Sequence, residues 1–311
     1  MGSYDPFVGG GIPVSMRTVS AYDEPRDRRF PCETWYPAGD GVHPLVVYSH
    51  HSGGHRRAAS YLCSHLASHG YVVAALDHSE VVASELALDP ALTPEERIAR
   101  AKETWVPARV PDIRFLIDHT LETTTADGDR VGIVGHSFGG WTALAAPDDE
   151  SRIRSVVALA PAGSEPAPPG TIPATLRFRW ARDVPTLYLV AADDASLPLE
   201  GMYQLYERTP ATKRMVILHR ADHLHFVDDA ERMHEEFRAM SLTGPATQIQ
   251  QRMRPITELC SGEQAHLFVR GLTLAHFDAT LAGHEEAQRF LDRDLTAELA
   301  RRGVEATALE P

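Results

Sequence analysis

Short apolar runs recur along the first two thirds of this chain, separated by helical spacing and turn residues. Met16 to Tyr22 and Glu33 to Tyr36 read as strands joined by a charged turn, Asp23 to Arg29, which predicts a hairpin. Pro44 to Ser49 and Tyr71 to Leu76 are almost unbroken apolar stretches, the pattern of strands buried on both faces. Arg57 to Ser68 between them has helical spacing and stops before Gly70. That order predicts a parallel crossover unit. The rhythm continues with a helix over Pro111 to Leu121, a strand at Asp129 to Val134 and a helix over Phe138 to Ala146. Three more strands follow, Ser155 to Ala160, Val184 to Val190 and Arg214 to Leu218. The expected fold class is therefore α/β, a mostly parallel eight-stranded sheet flanked by helices.

Two segments break the rhythm. Residues 79–108 are too long for an ordinary connection of about 2–6 residues. Within them Thr93, Pro94 and Glu96 form a helix start, with an N-cap Thr, Pro at the first position and a capping-box acid. A helix from 94 to 104, inserted as a lid-like segment, is expected. Residues 161–183 are rich in proline and predict a constrained loop over one end of the sheet, near the active site. After Asp228 the chain turns helical; Leu267, Leu274, Phe277 and Leu281 share one helical face, and Phe290 and Leu291 extend it. Residues 250–303 are read as a C-terminal helical extension packed on the sheet, so 1–311 forms a single domain. Thr243 to Gln250 is the weakest point.

Composition narrows the function. The hydrophobic fraction of 43% and charged fraction of 23% are those of a globular protein. Lys and Arg number 30 against 43 Asp and Glu, for a formal charge of −13. That balance argues against binding nucleic acid or anionic membrane, both of which require clustered positive charge. No apolar run approaches the roughly 20 residues of a membrane-spanning helix. Met1 to Gly11 has no basic start and no apolar core, so the chain is read as cytoplasmic, or as secreted with its leader removed. Cys32, Cys63 and Cys260 show neither a disulfide framework nor a zinc pattern.

The chemistry sits at Gly135-His136-Ser137-Phe138-Gly139-Gly140, between a strand and a helix. This is a G-x-S-x-G nucleophile elbow in its required context. A sharp turn lifts the serine clear of the sheet, and Gly135 and Gly139 remove side chains that would clash there. Serine needs a base, and the base an orienting acid, in the chain order Ser, Asp or Glu, His. Asp193 and Asp194 follow one strand; His219, His223 and His225 follow the next. Loop placement favours Asp194 over Asp193, and His223 over His219, with His225 the runner-up. The oxyanion donors expected are the backbone N–H groups of Phe138 and of Ser52, in the small-residue loop Ser52-Gly53-Gly54. His51, Gly53 and His136 are the neighbouring candidates for substrate contact. The cluster His50, His51 and His55 is the alternative to consider for a metal. Adjacent residues on an extended segment point apart and chelate poorly, and no H-E-x-x-H is present, so neither metal nor cofactor is expected.

These segments resemble the α/β-hydrolases of the dienelactone-hydrolase and platelet-activating-factor-acetylhydrolase-like group. Glu33 to Pro37, Pro44 to His50, Leu66 to Gly70 and Gly135 to Gly140 carry the resemblance, and bacterial cutinase-like polyester hydrolases are similar through the same stretch. The resemblance implies an α/β-hydrolase fold and a serine carboxylic-ester hydrolase acting on small to medium acyl esters through an acyl-enzyme. Thioesterase, amidase and polyester hydrolysis are alternatives on the same triad, and a non-catalytic binding protein is the rival of another class. The departures matter. Acetylhydrolases of this type carry the acid after the strand that follows the nucleophile helix, where this chain reads Ala158-Leu159-Ala160-Pro161. The acid is then Asp194, as in dienelactone and cutinase-like enzymes. Dienelactone hydrolases use Cys where Ser137 stands. Polyester hydrolases place aromatics at the positions of Ser52 and Ala162, which leaves Trp105 and Trp180 as candidates for a stacking surface. The partner expected is a small-molecule ester; the sequence leaves the oligomeric state open.

Overall fold

The computed structural model describes residues 4–309. Nine strands form one sheet: β1 (Val14–Asp23), β2 (Arg28–Pro37), β3 (His43–Ser49), β4 (Val72–Leu76), β5 (Ala126–His136), β6 (Ile153–Leu159), β7 (Thr186–Ala191), β8 (Lys213–Leu218) and β9 (Ala306–Ala308). The spatial order is β1-β2-β4-β3-β5-β6-β7-β8-β9. β4 through β8 run parallel, while β1, β2 and β9 pair antiparallel at the margins. The ninth strand is one more than expected; it is three residues long, too short to show a period of its own.

The helices are α1 (Ser60–Ser68), α2 (Ser79–Val82), α3 (Pro94–Thr104), α4 (Val106–Thr123), α5 (Phe138–Ala145), α6 (Leu199–Arg208), α7 (Ala230–Ala239), α8 (Ala246–Arg252), α9 (Gly262–Thr280), α10 (Glu285–Leu291) and α11 (Leu295–Ala300). Strand alternation divides the core in two. Val46, Tyr48 and Val134 point to one face, with Leu62 and Leu66 of α1 and Phe268, Leu274 and Phe277 of α9. Leu45, Val47 and Ile133 point to the other, with Ile113 and Leu116 of α4, Leu144 of α5 and Leu205 of α6. Of the apolar positions expected in the C-terminal helices, Leu274, Phe277, Leu281, Phe290 and Leu291 are buried in the first core, and Leu267 packs at its margin. α9 starts at a capping box, Ser261 with Gln264.

α4 begins at Val106 rather than Pro111. Pro107 occupies its first turn, where a missing N–H costs nothing, and Pro111 is carried inside the helix. α3 starts at the expected Thr93–Glu96 capping box.

Candidate active site

β5 ends at His136 and α5 starts at Phe138, which leaves Ser137 alone to turn the chain. Its φ of 60° and ψ of −118° are costly for a residue with a side chain. The turn is held by the Ser137 N–H donating to the Leu159 carbonyl at 2.9 Å and the Ala162 N–H donating to the Ser137 carbonyl at 2.9 Å. The flanking glycines are dictated by close approach. A Cβ on Gly135 would lie 2.0 Å from the Gly139 carbonyl oxygen, and one on Gly139 would lie 2.0 Å from that of Ser49. The elbow can form only where both positions lack side chains.

The two loops after β7 and β8 meet beside it. His223 Nδ1 donates to Asp194 Oδ2 at 2.7 Å. The other oxygen, Asp194 Oδ1, accepts from the N–H groups of Ser196 and Leu197, both at 2.8 Å, so the carboxylate is fixed on two sides. With Nδ1 engaged, Nε2 is the imidazole nitrogen left to receive a proton. Asp193 turns away to Arg254 at 2.9 Å. His225 is buried between Asp222 and the Cys260 carbonyl, and His219 bonds Thr307 at the sheet edge. Among these candidates, the Asp194–His223 pair is the one the structure brings together.

Burial alone would make the His223 imidazole harder to protonate. The charge and hydrogen bond of Asp194 outweigh it, and the pKa lies above the ordinary 6.5. His136 sits 4.7 Å from the His223 ring and His51 is 5.5 Å from that of His136, centroid to centroid. Burial, and then the neighbouring imidazoles, hold both low: His51 at about 4 and His136 well below 6.5. Both stay neutral near pH 7 and so do not repel a proton on His223.

A cavity of about 300 Å³ opens over Ser137. Ser137, His223, Phe138, Ser52 and His51 line its floor. Gly53 and His136 are not among its lining residues; His136 is fully buried and Gly53 shapes the loop with φ +71°. The His51 ring occupies the space beside Gly54, where a Cβ would come within 2.8 Å of it. His50 turns inward, Nδ1 donating to the His51 carbonyl and Nε2 accepting from the His78 N–H, while the exposed His55 accepts from the Arg57 N–H. The three histidines diverge, and among the described residues no group of three or more His, Cys, Asp or Glu is placed to hold a metal ion.

The cover of the cavity differs from the one expected. Residues 79–108 do not line it: Ser79 is bonded to Asp112 and Glu80 to Arg109, which pins the segment against α4. Trp105 donates to the Leu86 carbonyl within that segment, and Trp180 packs edge-on to Phe178; neither lines the cavity. The cover comes from Met233, Phe237 and Met240 at the α7 end, Ile249 of α8, and Ile172 of the Pro-rich loop. The spacing of Met233, Phe237 and Met240 within a charged helix was the available signal. It marks one apolar helical face, but not what that face covers.

A structural comparison settles the fold. A ferulic acid esterase from Streptomyces cinnamoneus superposes with a TM-score of 0.70 over 96% of this chain and 97% of the other, at 21% identity. This is an α/β-hydrolase fold. A family model for platelet-activating factor acetylhydrolase, isoform II, matches residues 32–114, from β2 into α4. Platelet-activating factor acetylhydrolase of Canis lupus familiaris is 28% identical where it aligns, over 38% of this chain and 34% of its own length. The chloroplastic chlorophyllase-1 of Citrus sinensis is 29% identical over 35% of this chain and 30% of its own. The chain spans about a third of the length of the curated relatives it matches. No helix among its described residues is long and apolar enough to cross a membrane.

Proposed function

We propose that this protein is a serine carboxylic-ester hydrolase working on small to medium acyl esters. The observation that carries the reading is that His223, paired with Asp194 at 2.7 Å, lines one cavity with a serine held at a strained elbow. Ser137 Oγ attacks the ester carbonyl while His223 Nε2 takes its proton. The tetrahedral intermediate places its negative oxygen on the N–H groups of Phe138 and Ser52. His223 returns the proton to the leaving alcohol as the acyl-enzyme forms. Water, activated by the same imidazole, then releases the acid. Asp194 fixes the tautomer and stabilises the imidazolium. The acetylhydrolase relatives, and a fold neighbour named as a ferulic acid esterase, support this class of reaction.

The acyl group lies against Met233, Phe237 and Ile249 in this reading, which suits an apolar chain. The one carboxylate lining the cavity, Glu236, disfavours anionic substrates. Chromogenic esters of graded chain length test the reading, wild type beside Ser137→Ala, with fluorophosphonate labelling of the serine. Turnover and labelling lost together in the variant are expected. Unchanged ester turnover in Ser137→Ala would sink it.

A further inference from the structure

Arg109, on α4, lies fully buried beneath the active-site loops and has no part in the chemistry just described. Its Nη1 donates to the His50 carbonyl at 2.6 Å and reaches Ser49 Oγ at 3.3 Å. Its Nη2 donates to the His51 carbonyl at 3.3 Å and pairs with the buried carboxylate of Glu80. The guanidinium carbon stands 4.4 Å from the centroid of the Phe138 ring. A second donor, His50 Nδ1, meets the same His51 carbonyl at 2.7 Å.

These contacts converge on the two residues that would supply the oxyanion donors. The His51 carbonyl and the Ser52 N–H are opposite ends of one planar peptide. Fixing the oxygen on the buried side fixes the direction of the N–H on the other, beside the cavity that Ser52 lines. A cation at the carbonyl oxygen also polarises the peptide and strengthens its N–H as a donor. The second donor is the N–H of Phe138, whose ring the same guanidinium supports. Arginine suits this task, because its planar fork can hold two successive carbonyls and a carboxylate at once, where an ammonium is a point charge.

We infer that Arg109, anchored by Glu80, is the positioning residue of the oxyanion hole: it orients and polarises the peptide that presents the Ser52 N–H, and braces Phe138. The inference rests on the serine-hydrolase reading above. During acylation the Ser137 Oγ–carbon bond forms, the carbonyl π pair moves onto oxygen, and the serine proton passes to His223. Arg109 never touches the substrate and acts only on the strength with which that oxygen is held. Its loss therefore lowers kcat and leaves KM in place.

The test uses Glu80→Gln/Arg109→Gln, which removes both buried charges together so that neither is left unpaired, and Arg109→Lys as a second variant. Hydrolysis of a chromogenic hexanoate is measured beside inhibition by 1,1,1-trifluoro-2-octanone, which forms an oxyanion on Ser137, and by 2-octanone, which fills the same cavity without a stable adduct. The expected result is a 10- to 100-fold fall in kcat, below the ~10²–10³ for outright loss of a donor. KM and 2-octanone affinity stay within twofold, and trifluoroketone affinity falls in step with kcat/KM. Unchanged kcat in a folded variant would overturn the assignment, as would equal weakening of both ketones. Failure of both variants to fold, seen by near-ultraviolet circular dichroism, would assign Arg109 to stability alone and overturn it too. Ser137→Ala, run in parallel, separates the two levels: if it hydrolyses the ester at the wild-type rate, the serine-hydrolase reading itself falls.

Discussion

At the scale of single residues, the site depends on a few groups held where they would not rest by themselves. Ser137 accepts a left-handed backbone because Gly135 and Gly139 let the chain pack against itself at distances no Cβ tolerates. The Asp194 carboxylate spends one oxygen on two backbone N–H groups and offers the other to His223. Two predictions belong here. The ester-hydrolysis rate kcat/KM rises with pH through an apparent pKa above 6.5, since the base must be neutral and Asp194 favours its protonated form. In Asp194→Asn that midpoint moves down and kcat falls on the order of 10⁴-fold, the cost of a wrong tautomer in such a triad. A pH–rate profile on a soluble ester reads both; a midpoint that did not move would remove Asp194 from the pair.

At the scale of elements, α7 and α8 supply apolar cover over the cavity. Gln250 of α8 places Nε2 between 2.7 and 2.9 Å from the carbonyls of Phe237, Arg238 and Met240, which ties the two helices together where the first ends. α7 is docked to the turn that carries His223, because His234 meets Asp222 at 2.5 Å while Asp222 caps the turn. The cover of the cavity and His223 therefore share a support. Phe237→Ala should lengthen the cavity and move the chain-length optimum to longer acyl esters. Each methylene lodged in an apolar pocket is worth about 1–3 kcal/mol of discrimination, so the change in relative kcat/KM is large enough to read directly. An unchanged optimum would mean that the acyl chain lies elsewhere.

At the scale of the whole molecule, one buried cluster links the turn after β8 to α7 and to the segment that leads into α9. Burial opposes protonation of His225, but its hydrogen bond to Asp222 prevails and raises the pKa to about 10. Asp222 is held well below the usual carboxylate range despite its own burial, through His225 and His234. The sign follows from linkage. A group whose folded pKa is raised contributes fully below its unfolded value of 6.5 and loses that contribution as pH climbs through about 10. Thermal unfolding of His225→Asn should therefore show its largest deficit in Tm against wild type near pH 6, closing toward about pH 10. A deficit constant across that range would show that packing rather than charge is lost.

Much of this was legible along the chain because its causes are local. The strands of the sheet's centre are short apolar runs, the α3 and α9 starts are side-chain caps, and the elbow needs a fixed spacing of two glycines around one serine. The strand β9 was not legible, since three residues carry no period and pair only because α9 to α11 return the chain to β8. Nor was the cover of the cavity. The segment at 79–108 looked like an insertion free to close, but Glu80 and Ser79 bind it to α4 through residues 29 and 33 positions further on. Arg109 shows the limit most clearly. A lone arginine in a helix reads as a solvated side chain, and only the fold buries it among the carbonyls of the β3 loop. What the sequence determined by itself was the order of elements and the residue types for the chemistry, since these follow from periodicity and local sterics. The tertiary structure decided which groups meet, because a 2.7 Å contact between Asp194 and His223 depends on how two separate loops are carried to one end of the sheet.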